Sequence, residues 1–216
     1  VLDRWGTLEE RVGAWSNAFT CHQTRDQADR ALQGMCVTTK ELGATSSFIA
    51  WSELRLPFTH GSVRGDLLIE LAVAKGALNQ VDGCVEAACL AIEQGASFEK
   101  VMPSLQALPI HECWRELVDP LLSWAPVDTT GMVMPLLSTV ASVARMSQSP
   151  QAAALHKALI AVQPDSAYAT DYLVWDSFER EAYTDVLALV SASLQVQTPR
   201  ILACNTAALV ATGSIN

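Results

Sequence analysis

The chain has 216 residues, half of them hydrophobic and only 17% charged, a balance that suits a large buried core and opposes intrinsic disorder. Its 23 acidic residues outnumber 14 lysines and arginines, giving a net charge of −9, which opposes broad contact with nucleic-acid phosphates while leaving room for a local basic patch. No apolar run approaches the ~18 residues of a membrane span; the strongest candidate, Leu67 to Ala74, is short and contains Glu70.

The first elements are announced by their caps. Thr7 and Glu10 have the spacing of a capping box, in which hydroxyl and carboxylate satisfy free N–H groups at a helix start, and Thr24 and Gln27 repeat it. Helices are predicted over about 7–20 and 24–41, with Gly43 as the stop, and over about 47–56. Leu56 to Ser62 then reads as a loop broken by Pro57 and Gly61.

From Val63 the pattern is regular. Leu67, Leu68, Leu71 and Ala74 mark one apolar helical face, Gly76 to Gly83 a turn, and Val85, Ala88, Cys89 and Ile92 the next helix, closed by Gly95. Helices follow at about 98–107 and 110–123 up to Pro126, and at about 132–146 and 150–162 up to Pro164. The second of this latter pair has Ser149-Pro150 as N-cap and first-turn proline. A further pair, about 166–179 and 183–196, ends at Pro199, and Thr198 to Gly213 opens another helix. No segment alternates as a strand. The intervals from Gly95 to Pro126, Pro164 and Pro199 are 31, 38 and 35 residues, the period of stacked helix-turn-helix units. The expected fold is all-α, a right-handed α-solenoid of roughly six such units. Residues 1–62 are a helical cap or the first repeats, and residues 63–216 are the array.

Pro199-Arg200-Ile201-Leu202-Ala203-Cys204-Asn205-Thr206-Ala207-Ala208 resembles the first helix of a pentatricopeptide repeat, whose consensus runs roughly Pro-Asp-Val-Val-Thr-Tyr-Asn-Thr-Leu-Ile. Gln80 to Ala88 followed by Ile92-Glu93-Gln94-Gly95 is similar to that family's second helix, Gly-x-x-x-x-Ala…Gly, and Gln27 to Leu32 with Met35 and Leu42-Gly43 echoes it. A tetratricopeptide-like array is the alternative. The resemblance implies either a scaffold in a large organellar assembly, or single-stranded RNA binding in an organelle such as the mitochondrion, for example as part of a ribosome. For RNA, Asn205 is the implied first-helix reading position. Asp171 or Thr170 is its counterpart one repeat earlier, and Arg200 is the end-of-repeat partner of that counterpart. The other units offer no clean polar pair, and the acidic balance favours the scaffold.

Residues that invite chemistry have plainer readings. His111 and Cys113 point to different sides of a helix, as do Cys21 and His22, and neither pair makes a metal site. Six scattered cysteines without a CxxC pair, Cys84 and Cys89 among them, sit mostly inside apolar helical patterns as free thiols, which favours a reducing compartment. Arg64-Gly65-Asp66 looks like the adhesion tripeptide, exposed near a loop, but Asp66 reads as a charge suited to a helix N-terminus. Asp171, Asp176, Glu179 and Glu181 surround Trp175 and Phe178 as a solvated face or a docking surface. No phosphate loop, nucleophile elbow, metal quartet or cofactor motif is present. The chain is therefore expected to be non-catalytic, binding protein subunits of a larger assembly. Expected partner contacts are Trp5, Trp175 and an apolar stripe of Ala203, Ala207, Ala208 and Val210 on the last helix.

Overall fold

A computed structural model describes residues 7–193 and 196–214. Among these it has twelve α-helices and no strand: α1 (Leu8–Thr20), α2 (Arg25–Glu41), α3 (Thr45–Arg55), α4 (Gly61–Ala77), α5 (Val81–Glu93), α6 (Phe98–Gln106), α7 (Ile110–Trp124), α8 (Met134–Met146), α9 (Ala152–Val162), α10 (Ala167–Glu179), α11 (Tyr183–Ala192) and α12 (Pro199–Ala211). The all-α expectation holds, and each expected helix is found within a few residues of its place. A 3-10 turn at Leu56–Phe58 occupies part of the expected loop. Contacts divide the chain into two compact units, Val1–Leu108 and Pro109–Asn216. The expected boundary near residue 62 lies inside the first unit, where α3 packs on α4.

In the first unit, Thr7 accepts from the Glu10 N–H while Glu10 accepts from the Thr7 N–H, completing the capping box of α1. Thr24 likewise accepts from the Gln27 N–H, but the return bond slips by one residue: the Gln27 side chain accepts from Gln23. α2 and α4 are each 17 residues long and start 36 residues apart, as do α3 and α5. The matching extends to burial. Ala31, Leu32, Met35, Cys36 and Thr38 are buried in α2, and Leu67, Leu68, Leu71, Ala72 and Ala74, each 36 residues later, are buried in α4. One side of each helix is thus committed to packing, and burying a leucine there contributes about 1.5–3 kcal/mol. α1 rests on α2 at Gly34, where an added Cβ would lie 2.2 Å from the Trp15 ring.

In the second unit, α8, α10 and α12 are each 13 residues long, with N-cap positions Val133, Ser166 and Thr198 that lie 33 and 32 residues apart. Measured between caps, the spacing is tighter than the intervals between prolines, because a proline marks only that a helix has ended. Val174, Val186, Val190, Ile201, Cys204 and Ala208 form a shared core of α10, α11 and α12. Ser149-Pro150 does not cap α9 as expected: Pro150 lies in a turn, Ser149 accepts from the Gln151 N–H, and the helix begins at Ala152. α11 ends at Ala192, short of the expected 196. The loop before α8 is organised by Asp128, whose carboxylate accepts from the Thr130 N–H (2.8 Å), the Thr130 hydroxyl (2.5 Å) and the Val133 N–H (2.7 Å).

Six helices end alike. A left-handed residue (Gly43, Asn79, Gly95, Gln148, Glu181 or Gly213) follows the last turn. The next N–H then reaches the carbonyl five residues back, as in Ala182 to Ser177 and Ser214 to Leu209. At the end of α4 this narrows the expected turn to Leu78–Gln80, with Asn79 rather than a glycine in the left-handed position.

Candidate functional site

The first unit carries two adjoining clefts between α2, α3 and α4. The larger, of about 620 Å3, is lined by Cys36, Val37, Phe48, Arg55, Val63 and Leu67 among others; the smaller, of about 320 Å3, by Phe48, Ile69, Val73, Ala74 and Ala77. Phe48 contributes to both. Lys40 and Glu70 border both, joined at 2.7 Å, with the Lys40 ammonium 5.9 Å from the Phe48 ring centre. Val37 and Val73 are matched positions of α2 and α4, 36 residues apart, and are half exposed, at 50% and 52%. The smaller cleft has mostly apolar walls, whereas Gln33, Lys40, Glu41, Arg55, Asp66 and Glu70 also line the larger one. Cys36 is the cleft's nucleophilic atom, yet burial pushes its thiol up, against a lowering hydrogen bond from Ser52 at 3.4 Å. A thiol held in the protonated form is a poor nucleophile.

The second unit gathers three of the sequence-derived site residues. Arg200 pairs with Asp171 at 3.2 Å and lies over the Trp175 ring at 5.3 Å, while Asp171 also accepts from the Thr198 hydroxyl at 2.9 Å. This clamp ties α10 to α12 and occupies the carboxylate and guanidinium on which base reading would depend. Trp175 is partly exposed and stacks with Phe178. The helix caps set Asp171 level with Ala203 and Thr170 level with Leu202. Asn205 is level with buried Leu173, so neither expected counterpart of Asn205 is in its register. Ala203, Ala207 and Val210 are exposed, but Ala208 is not part of their stripe: it is fully buried with Ile201 and Cys204. Trp5 lies outside the described residues.

The remaining candidates resolve individually. Arg64-Gly65-Asp66 lies near the start of α4, with Gly65 buried and Asp66 exposed and paired with Lys100. α7 bends at Cys113, next to buried Trp114. Among the described residues no group of three His, Cys, Asp or Glu side chains could hold a metal ion, and no helix is long and apolar enough to cross a membrane. All six cysteines are free. In the acidic group, Asp176 pairs with Arg180 at 2.5 Å, whereas Glu179 and Glu181 are exposed.

Sequence reasoning passed over two features. One is the pair of clefts, whose only trace in the sequence is the 36-residue recurrence of Val37 at Val73. The other is His156, which is wholly buried beside Tyr172, their ring centres 4.0 Å apart. Its Nδ1–H donates to the Ala152 carbonyl at 2.7 Å, and its Nε2 is buried without a hydrogen-bond partner. Burial lowers its pKa, and the Arg145 guanidinium adds to the lowering against the opposing Ala152 bond and Asp176. Nothing in a lone His on an apolar helix distinguishes this state beforehand.

No family model, curated protein or solved structure matches the chain.

Proposed function

We propose that the chain is a non-catalytic helical-repeat scaffold that holds protein partners within a larger assembly. The observation carrying this reading is the repetition of whole hairpins. α2–α3 and α4–α5 share a 36-residue offset, and five of the eight buried positions of α2 recur in α4. Within each unit, extensive contacts join helices adjacent or next-but-one in the chain. Stacking of that kind buries one side of each hairpin against its neighbours and leaves another side free, which gives a large surface for the mass. The half-exposed valines at matched positions, one beside each cleft, give that surface its anchor sites.

The test is cross-linking and co-purification of the tagged chain from its source cells, with and without Val37→Asp and Val73→Asp. Because both residues are half exposed, these variants keep the fold. The scaffold reading expects stoichiometric protein partners, cross-links near Lys40, and loss of those partners in the variants. Unchanged partners in the variants, or a salt-sensitive single-stranded RNA complex in place of protein, would sink it.

A further inference from the structure

The two clefts of the first unit share Lys40, Phe48 and Glu70 and form one groove. Among the described residues α2 and α4 both pack on α3 without packing closely on each other, so α3 is the floor between two walls. On α4 the lining runs from Val63 through Leu67, Glu70 and Ala74 to Ala77, a length of about 21 Å at the helical rise. The two ends differ in chemistry. The end at Ile69, Val73, Ala74 and Ala77 is apolar, whereas the end at Gln33, Arg55 and Asp66 is polar. Phe48 lines both, and the volumes of about 320 and 620 Å3 are those of small-molecule pockets.

Arg55 gives the polar end its preference. Its side chain is only 10% exposed, and Asp29 accepts from its Nε–H at 2.8 Å and from Nη2 at 3.5 Å. Nη1 has no hydrogen-bond partner among the described residues and is not sealed from solvent, which leaves its two N–H donors to the cleft that Arg55 lines. A guanidinium held this far out of water with donors to spare favours an acceptor, above all an anionic one. The carboxylates around the cleft are committed elsewhere: Glu41 to Arg11 at 3.3 Å, Asp66 to Lys100 at 3.2 Å and Glu70 to Lys40 at 2.7 Å. An incoming anion therefore meets no uncompensated negative charge. One free guanidinium nitrogen suits the single charge of a carboxylate better than the double charge of a phosphate. The Lys40–Glu70 pair joins the two walls above Phe48. Both side chains are about half exposed, and exposed pairs hold weakly, so the pair yields to a chain lying along the floor.

We propose that this groove binds an aliphatic monocarboxylate of medium to long chain, its carboxylate on Arg55 Nη1 and its chain running over Phe48 into the apolar end at Ile69, Val73, Ala74 and Ala77. The inference goes beyond the scaffold reading and holds whether or not a protein partner anchors at Val37 and Val73.

The test is a titration of the full chain, isotopically labelled, with sodium decanoate below its micelle concentration, alongside decanol and butanoate. The expected result is saturable one-to-one binding of decanoate with amide shifts in α2, α3 and α4. Affinity should be about tenfold lower or more for decanol, which lacks the charge, and for butanoate, which falls short of the apolar end. Arg55→Lys keeps a cation for Asp29 but loses the guanidinium fork, and should weaken decanoate binding about tenfold or more. Ala77→Trp alters an exposed position, fills the apolar end and should weaken decanoate by a similar factor, with folding checked by circular dichroism. It keeps the proposal open to refutation if Arg55→Lys fails to fold. The proposal is overturned by the absence of saturable binding, by shifts confined to other helices, by decanol binding as tightly as decanoate, or by unchanged affinity in either folded variant. Co-purifying proteins are a separate readout, so failure here and failure of the scaffold reading are separate results.

Discussion

His156 and Asp128 show how single residues in the second unit respond to pH in the same direction for opposite reasons. The folded pKa of His156 is lowered because burial penalises the cation, aided by Arg145, while the Ala152 carbonyl and Asp176 oppose. Its contribution is therefore complete above the unfolded value near 6.5 and is lost as pH falls from there through the lowered folded value. His156→Asn retains a donor for the Ala152 carbonyl but cannot titrate. It should be less stable at pH 7, by about 1–2 kcal/mol for the lost ring packing, yet show a flatter decline between pH 7 and 5 in urea melts. An identical decline in both proteins would refute the assignment. For Asp128, burial raises the pKa, but hydrogen bonds from Thr130, Val133 and Gly131 outweigh it and the net shift is downward. Its stabilisation is present above about 3.9 and disappears as pH falls through the folded value. Asp128→Ala should cost about 1–3 kcal/mol at neutral pH, with the gap to the natural protein closing in strong acid.

Helices α1 and α2 give a contrast between two glycines. Gly13 is exposed in α1 with nothing within 4 Å of an added Cβ, so Gly13→Ala should stabilise by about 0.5–1 kcal/mol through helix propensity alone. Gly34 is buried in α2 against Trp15, and Gly34→Ala should reverse the sign, destabilising by about 1–3 kcal/mol as the ring is driven from its site. Thermal denaturation of the two variants side by side checks the pair; a stabilising Gly34→Ala would mean that α1 does not sit so close. At the other end of a helix, Glu181 holds a left-handed conformation that costs an L-residue free energy and glycine little. Glu181→Gly should raise stability by about 0.5–1 kcal/mol, and a lowered melting temperature would show that the side chain contributes more than the backbone strain removes.

At the scale of the molecule, the scaffold reading makes stability in the first unit a sum of local stacking terms rather than one shared core. Leu71 is almost fully buried in α4, which packs on α3, α5 and α6, whereas α1 packs on α2. Leu71→Ala should cost about 2–5 kcal/mol. Hydrogen exchange should lose protection most in α4 and α5 and progressively less towards α1. Equal loss along the whole first unit would indicate a single cooperative core and weaken the scaffold reading.

Much of this was legible in the sequence because it is local. The caps at Thr7 and Thr24, the stops at Gly43, Gly95 and Gly213, and the 3.6-residue apolar spacing depend on residues within one turn of each other, and each led to a helix near its expected place. The repeat register was not legible: α8, α10 and α12 have little sequence in common, and their equivalence lies in caps and turns that Val133, Gln148 and Glu181 form without a diagnostic side chain. For the same reason Ala208, placed on one apolar stripe with Ala203, Ala207 and Val210, lies buried instead, because a run rich in alanine and leucine does not show which side a neighbouring helix will cover. Residue type determined that these segments are helices with apolar faces. Only tertiary packing decided which faces meet, that His156 and Cys36 lie out of water, and that Asp171 is held by Arg200, since burial and pairing depend on segments that the chain order alone does not bring into contact.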